Sequence, residues 1–411
     1  MSNSRAMLPQ QPVALYVHFP FCVSVCPYCD FVVYGGRAAR GPENRIEALV
    51  GALVNEIGLR DVVATLASVY LGGGTPSLMS PAQVGRLLEA ADRHFGLAPD
   101  AEVTIEVNPG GGERGDLGGF RAAGVNRVSI GAQSFSPPDV ARLGRRHNPA
   151  DIVDTVRLAR QAGFTNISLD LLYDVPGQTL ASWRASLVGT LALEPDHVSA
   201  YALTLDDPDA DGLTGPLGDH LPLRAGARRW RERAATEQDA DCAADMYELA
   251  DDLLTAAGLG WYELSNWARP GSHSRHNTTY WSGAAWEAVG PGAHAFDGAL
   301  TRRWNAARLD AYLAALVPTD GSAVRLPPGG EETTDPATAL AERAILALRT
   351  RSGLAADQAD RSVFSQALSW ADKNQLVEDD DANVVRLTRR GRLLSNELFV
   401  RLMPSPEVAA A

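Results

Sequence analysis

The chain has 411 residues, 45% hydrophobic and 21% charged, with a formal charge of −13. That length exceeds one modest core and predicts two domains, while the acid excess argues against bulk nucleic-acid binding. Lys373 is the sole lysine, which excludes a Schiff-base or P-loop lysine earlier in the chain, and without a long apolar run or export signal the expected place is the cytoplasm, without stable membrane insertion.

Residues 1–12 form a tail, and residues 13–205 then alternate β-rich runs with amphipathic segments. Val13–Phe19 reads as the first strand, followed by a helix from about Glu43 to Arg60 with Ile46, Leu49, Val50, Leu53 and Ile57 on one stripe. Strand Ser68–Leu71, helix Pro81–Phe95, strand Glu102–Val107, helix Asp116–Ala123 and strand Arg127–Ile130 repeat the pattern. Helix Ala150–Ala162, strand Asn166–Leu171, helix Leu180–Leu191 and strand His197–Leu203 complete it. This is an α/β pattern that predicts an open parallel (β/α)6 barrel, whose chemistry belongs at the C-terminal ends of the strands.

Directly after the first strand, CVSVCPYC places Cys22, Cys26 and Cys29 in a C-x3-C-x2-C array. In a reducing compartment, clustered cysteines bind metal rather than form disulfides. Three thiolates within eight residues can grip one face of an iron–sulfur cube and leave the fourth iron open. A structural zinc site or three buried thiols is the alternative, although Cys242 is the only further cysteine.

Polar residues mark the ends of the following strands. Gly72-Gly73-Gly74-Thr75 follows the second strand, where bare backbone can approach a ligand or simply turn. Glu106 ends the third, Gln133 follows the fourth, and Asp170 lies at the end of the fifth. Each would need a partner if buried, and ribose hydroxyls, an amino group or a sulfonium would serve.

Taken together, YVHFPFCVSVCPYCDF, LGGGTPS, IEVNP, RVSIGAQSF, LGRRH, DLLYDVPGQT, YELSNWA and HNTTYWSG resemble the oxygen-independent coproporphyrinogen III oxidase-like family of the radical S-adenosylmethionine (SAM) superfamily, which includes the HemW-type heme chaperones. The likeness runs from about residue 12 to the C-terminal region. It implies a [4Fe-4S] cluster on Cys22, Cys26 and Cys29, with SAM chelating the open iron. It also implies SAM contacts from Tyr16, Gly73 and Glu106, with Gly74 and Thr75 alongside. A second SAM site in the oxidase matches Tyr28, Gln133, Arg145, Asp170 and Ala202. By the same likeness, electrons from a flavodoxin- or ferredoxin-like donor would cleave SAM to methionine and a 5′-deoxyadenosyl radical.

Two departures separate the branches. The oxidase has a fourth cysteine where this chain has Phe31, and a long N-terminal extension where this chain has about a dozen residues. The HNxxYW block, His276, Asn277, Tyr280 and Trp281, resembles the heme-associated motif of the chaperone branch, and a neutral histidine flanked by aromatic rings suits heme iron. The expectation is therefore heme binding and transfer to an acceptor protein, with SAM-dependent decarboxylation of coproporphyrinogen III as the alternative. On its residues alone, His276 also reads as a loop histidine bonded to backbone.

His294, in GPGAHAF, is either a SAM contact or a turn residue, and His18 is expected in the core or just behind the site. Cys242 shares a helical stripe with Met246, Leu249 and Leu253 and reads as a small buried hydrophobe. Residues 206–241 read as a variable insertion ending in a solvated arginine run, and residues 242–325 as a segment completing the barrel. After a Pro/Gly link at Leu326–Gly330, residues 331–403 resemble a C-terminal winged-helix-like domain, whose acidic wing at Glu378–Asp381 would repel phosphates.

Overall fold

A computed structural model of the protein describes residues 13–61, 65–205, 213–355, 362–379 and 383–404. The tail at 1–12, part of the expected insertion (206–212) and the tip of the expected wing (380–382) lie outside them.

Six parallel strands form the framework: β1 (Ala14–Phe19), β2 (Leu66–Gly73), β3 (Leu97–Val107), β4 (Arg127–Gln133), β5 (Ile167–Tyr173) and β6 (His197–Ala202), hydrogen-bonded in sequence order. Apolar residues such as Leu15, Leu71, Ile105, Ile130, Leu169 and Val198 are fully buried, as a sheet covered by helices requires.

The connecting helices begin where local chemistry dictates. Helix α1 (Ile46–Leu59) packs against α2 (Pro81–Phe95), whose start combines Pro81 with a Ser80–Gln83 capping box. Asp116 caps α3 (Leu117–Ala122). A short α4 (Pro137–Arg142), not expected from the sequence, precedes α5 (Pro149–Gln161). Asn148 caps α5, and Thr179 caps α6 (Leu180–Leu191).

The later chain enlarges this sheet at both edges. Helices α7 (Ala225–Ala235) and α8 (Ala240–Ala256) lead to β7 (Gly260–Glu263) and β8 (Asn266–Ala268), and β8 pairs antiparallel with β6. Helix α9 (Arg275–Trp281) crosses to the other side, where β9 (Glu287–Val289) pairs parallel with β1. The result has nine strands, not six.

Buried Glu56 of α1 locks the late segment to the early one. It accepts hydrogen bonds from Gly290 N at 2.9 Å, Asn305 Nδ2 at 2.7 Å and the Tyr312 hydroxyl, and it pairs with Arg60. Charge removed from water needs this number of partners.

Strands β10 (His294–Phe296), β11 (Thr301–Asn305) and β12 (Gly329–Thr333) form a separate sheet, and α10 (Leu309–Leu316) packs on α1. The expected linker therefore includes a strand. A Cβ on Gly330 would lie 2.4 Å from the Trp304 ring, so glycine permits that pairing. The C-terminal unit begins beyond Thr333, with α11 (Pro336–Leu348), helices Ser365–Lys373 and Ser395–Leu402, and a small antiparallel sheet from residues 354–355, 377–379 and 384–387. Leu348, Leu376, Leu387 and Leu398 centre its own core. Arg392 pairs with Asp251 at 2.6 Å and Arg302 with Glu342 at 2.6 Å, joining it to the barrel side. Among the described residues no helix is long and apolar enough to cross a membrane.

Candidate functional site: the barrel mouth

A cavity of about 430 Å³ opens at the C-terminal ends of β1–β6. Its wall includes Cys22, Cys26 and Cys29 on the loop after β1, Gly73, Gly74 and Thr75 after β2, and Glu106 on β3. Gln133, Asp170 and Ala202 from later strands, and Tyr28 and Arg145 from loops, also face it. The sequence-derived set thus converges, with informative exceptions.

The thiols are supported by hydrogen-bond donors. Thr75 Oγ1 donates to Cys22 Sγ at 3.4 Å, and an Arg145 guanidinium nitrogen lies 4.0 Å from Cys26 Sγ. Burial pushes the Cys22 thiol up to about 11 and the Cys29 thiol up to about 12, so metal must displace their protons. Among the described residues no three His, Cys, Asp or Glu side chains are disposed to hold a single ion. A zinc site would bring its ligands to one point. Three thiols at one cavity wall suit a cluster, which is gripped at separate irons.

Opposite the cysteines, Glu106 accepts hydrogen bonds from the Tyr70 hydroxyl and Gly73 N, both at 2.9 Å. Burial, aided by the neighbouring Asp170 carboxylate, pushes Glu106 up to about 7 against those hydrogen bonds. Asp170 accepts from Ser129 Oγ at 2.8 Å and Ser168 Oγ at 3.1 Å, and burial raises its pKa too. Two carboxylates held in one enclosed wall favour a ligand bearing an amino group or sulfonium.

The glycine run has a protein-internal cause. Gly73 has φ +108°, and a Cβ there would lie 2.5 Å from the His18 ring; one on Gly74 would lie 2.7 Å from the Phe21 carbonyl oxygen. Close approach to β1 and its loop fixes these glycines, and their backbone still lines the cavity. Gln133, with φ +61°, follows a register shift in the β4–β5 pairing that turns the strand end toward the mouth.

Five expected positions, Tyr16, His276, Tyr280, Trp281 and His294, lie outside this cavity. Tyr16 and His294 line an adjoining groove, with the Tyr16 hydroxyl 2.9 Å from His18 Nδ1 and His294 Nε2 2.7 Å from Asp219. His276 reaches neither cavity. It is 1% exposed, with Nδ1 3.0 Å from Ser68 Oγ and Nε2 2.7 Å from the Tyr280 hydroxyl. Iron could reach this imidazole only by displacing one of those partners. Burial holds His276 down at about 3, so it is neutral and anchors α9 to β2. From that helix Asn277 faces the mouth, while Tyr280 and Trp281 face the groove.

Sequence reasoning missed several contributors. Arg127, at the start of β4, is 2% exposed and lines the mouth near Glu106 and Asp170. Asn108 donates to Thr75 Oγ1 at 2.9 Å and accepts from Arg145 at 2.5 Å. Its position beside Pro109 in IEVNP was the available signal. Arg231, read as part of a solvated run, is 5% exposed and donates to the carbonyls of Tyr28 and Cys29 at 2.9 and 3.1 Å. Cys242 is only partly buried, packed at the edge of the core.

A cysteine loop after the first strand of a parallel half-barrel, facing a carboxylate-lined mouth, defines the radical SAM class, and the pattern of the Radical SAM superfamily matches residues 16–187. The chain is similar along almost its whole length to the heme chaperone HemW of Mycobacterium tuberculosis (strain H37Rv), with 37% identity covering 97% of this chain and 96% of that one. The HemW heme chaperone of Bacillus subtilis (strain 168) is 32% identical over 93% of this chain and 97% of its own length. By this measure the chain belongs to the HemW family of radical SAM proteins. In fold it is similar to coproporphyrinogen III oxidase (HemN) from Escherichia coli, with TM-score 0.75, 23% identity, and coverage of 97% of this chain and 91% of that one.

Proposed function

We propose that this protein is a heme chaperone: it binds heme and passes it to an acceptor protein. The observation that carries this reading is the near-full-length similarity to relatives described as heme chaperone HemW.

Membership of the radical SAM superfamily implies a [4Fe-4S] cluster and SAM. Cys22, Cys26 and Cys29 would hold the cluster, and the donors from Thr75 and Arg145 would stabilise their thiolates. When bound, the cluster supplies one-electron reducing power to SAM from a flavodoxin- or ferredoxin-like donor. Glu106 would receive the amino group of SAM beside Gly73, Gly74 and Thr75, and Tyr16 would orient His18 behind it. Tyr28 and Arg145, beside the cysteines, and Gln133, Asp170 and Ala202, from the later strands, would complete the wall. Asn277, Tyr280 and Trp281 would flank the porphyrin, while His276 holds their helix in place.

Two assays on anaerobically reconstituted protein test this. Hemin titration is expected to give a saturable Soret shift and subsequent transfer to an acceptor. Incubation with SAM, reductant and coproporphyrinogen III is expected to give no protoporphyrinogen. Absence of heme binding together with porphyrinogen turnover would replace the chaperone with the oxidase.

A further inference from the structure

Beside the mouth lies a second cavity of about 380 Å³, sharing Asp30 and Phe31 with it. Its walls are mainly aromatic. Tyr280 meets Trp286 edge-on at 4.8 Å between ring centroids, and Trp286 continues to Phe296 at 5.2 Å. Phe31, at the rim, is 61% exposed, an unusual place for a large apolar ring. A flat apolar ligand would cover these surfaces.

Asp219 sits at the edge of the groove with its side chain 5% exposed. One carboxylate oxygen is 2.9 Å from His220 Nδ1, and the other is 2.7 Å from His294 Nε2. A carboxylate accepts only from N–H, so the hydrogen bond fixes the His220 tautomer, and the 2.7 Å contact favours a proton on His294 Nε2. Neutral His220 then carries its lone pair on Nε2, and neutral His294 on Nδ1. Neither nitrogen has a hydrogen-bond partner among the described residues, and both rings line the groove. A carboxylate-backed imidazole with its second nitrogen free is the arrangement that orients a histidine for iron and raises its basicity. His276 lacks that freedom, because both of its nitrogens are occupied.

We infer that this groove is the heme seat, with an Asp219-held imidazole, from His220 or His294, as the axial ligand and the Tyr280–Trp286 wall against the porphyrin. The inference rests on the chaperone reading and gives it a location. Through the shared rim at Asp30 and Phe31, a porphyrin in the groove would lie next to the cysteine loop.

The test is hemin titration of the reconstituted full chain, followed by absorbance, for wild type and the His220→Gln/His294→Gln double variant. Glutamine keeps an N–H for Asp219 and supplies no lone-pair nitrogen to iron. The variant is expected to retain the iron and sulfide content of the cluster, lose the histidine-ligated Soret position and weaken hemin binding at least tenfold. The His220→Ala/His294→Ala variant is expected to regain that Soret position on addition of imidazole. Wild-type Soret position and affinity in the glutamine variant, or no imidazole effect in the alanine variant, would overturn the seat while leaving the chaperone reading intact. Failure of wild type to bind hemin would remove the chaperone reading and the seat with it.

Discussion

The guanidinium of Arg231 on α7 donates to the carbonyl oxygen of Tyr28 at 2.9 Å, across 203 positions of sequence. The same nitrogen donates to Cys29 O at 3.1 Å and pairs with Asp30. One buried cation therefore neutralises and positions the C-terminal half of the cysteine loop, which has no regular secondary structure to hold it.

Replacing Arg231 with Ala removes a donor from three carbonyls, those of Pro27, Tyr28 and Cys29, and from the Asp30 carboxylate. Losses of this kind cost about 2 to 4 kcal/mol. Arg231→Ala is expected to retain less than half of the wild-type iron and sulfide after anaerobic gel filtration, with far-UV circular dichroism unchanged. Wild-type cluster content in the variant would show that the loop is held by other contacts.

With Glu106 as the proposed partner of the SAM amino group, SAM binding is expected to depend on pH with a definite sign. Burial pushes the Glu106 pKa up to about 7, so the carboxylate that would accept N–H from the amino group of SAM is scarce below that value and dominant above it. SAM affinity, measured by anaerobic calorimetry, is expected to rise about tenfold between roughly pH 6 and 8. In Glu106→Gln the affinity should drop at all pH values and the slope should disappear. A wild-type profile that stays flat would remove Glu106 as the amino-group partner.

Buried neutral histidines predict acid lability. Burial lowers His18 and His147 to about 4 and His276 to about 3, from an ordinary 6.5. The unfolded chain thus binds protons first as pH falls, and native stability is lost downward from about pH 6.5. Each histidine contributes a slope of up to about 1.4 kcal/mol per pH unit. Urea midpoints should fall steeply between about pH 6 and 4, and His147→Gln should make that fall shallower.

Glu56 predicts a purely structural lesion. Glu56→Ala removes the carboxylate paired with Arg60, leaving that cation to Asn305 Oδ1 at 2.8 Å and the more distant Glu287, and withdraws the acceptor shared by Gly290, Asn305 and Tyr312. A destabilisation of about 3 to 5 kcal/mol is expected by chemical denaturation. Glu56→Gln, which keeps an acceptor oxygen, should recover part of it.

The local sequence determined the elements whose cause is local. The apolar stripe of α1 and the β-rich strand runs located the βα units, because 3.6-residue and two-residue periodicities act within one segment. The spacing of Cys22, Cys26 and Cys29 likewise needs only eight residues of chain to specify a tripod. Glu106, Gln133 and Asp170 were legible because strand ends in a parallel barrel share one mouth.

Tertiary structure alone decided which distant groups met. Nothing near Arg231 distinguishes it from its exposed neighbours; its burial comes from the fold of α7 over the cysteine loop. His276 carries a motif, yet its side chain turns between β2 and Tyr280 because α9 crosses there. His220 and His294 lie 74 positions apart and acquire a common carboxylate only when β10 is brought beside Asp219. Periodicity reports which face of an element is buried, and pairing between faces is settled only when long loops close and buried polar groups find partners.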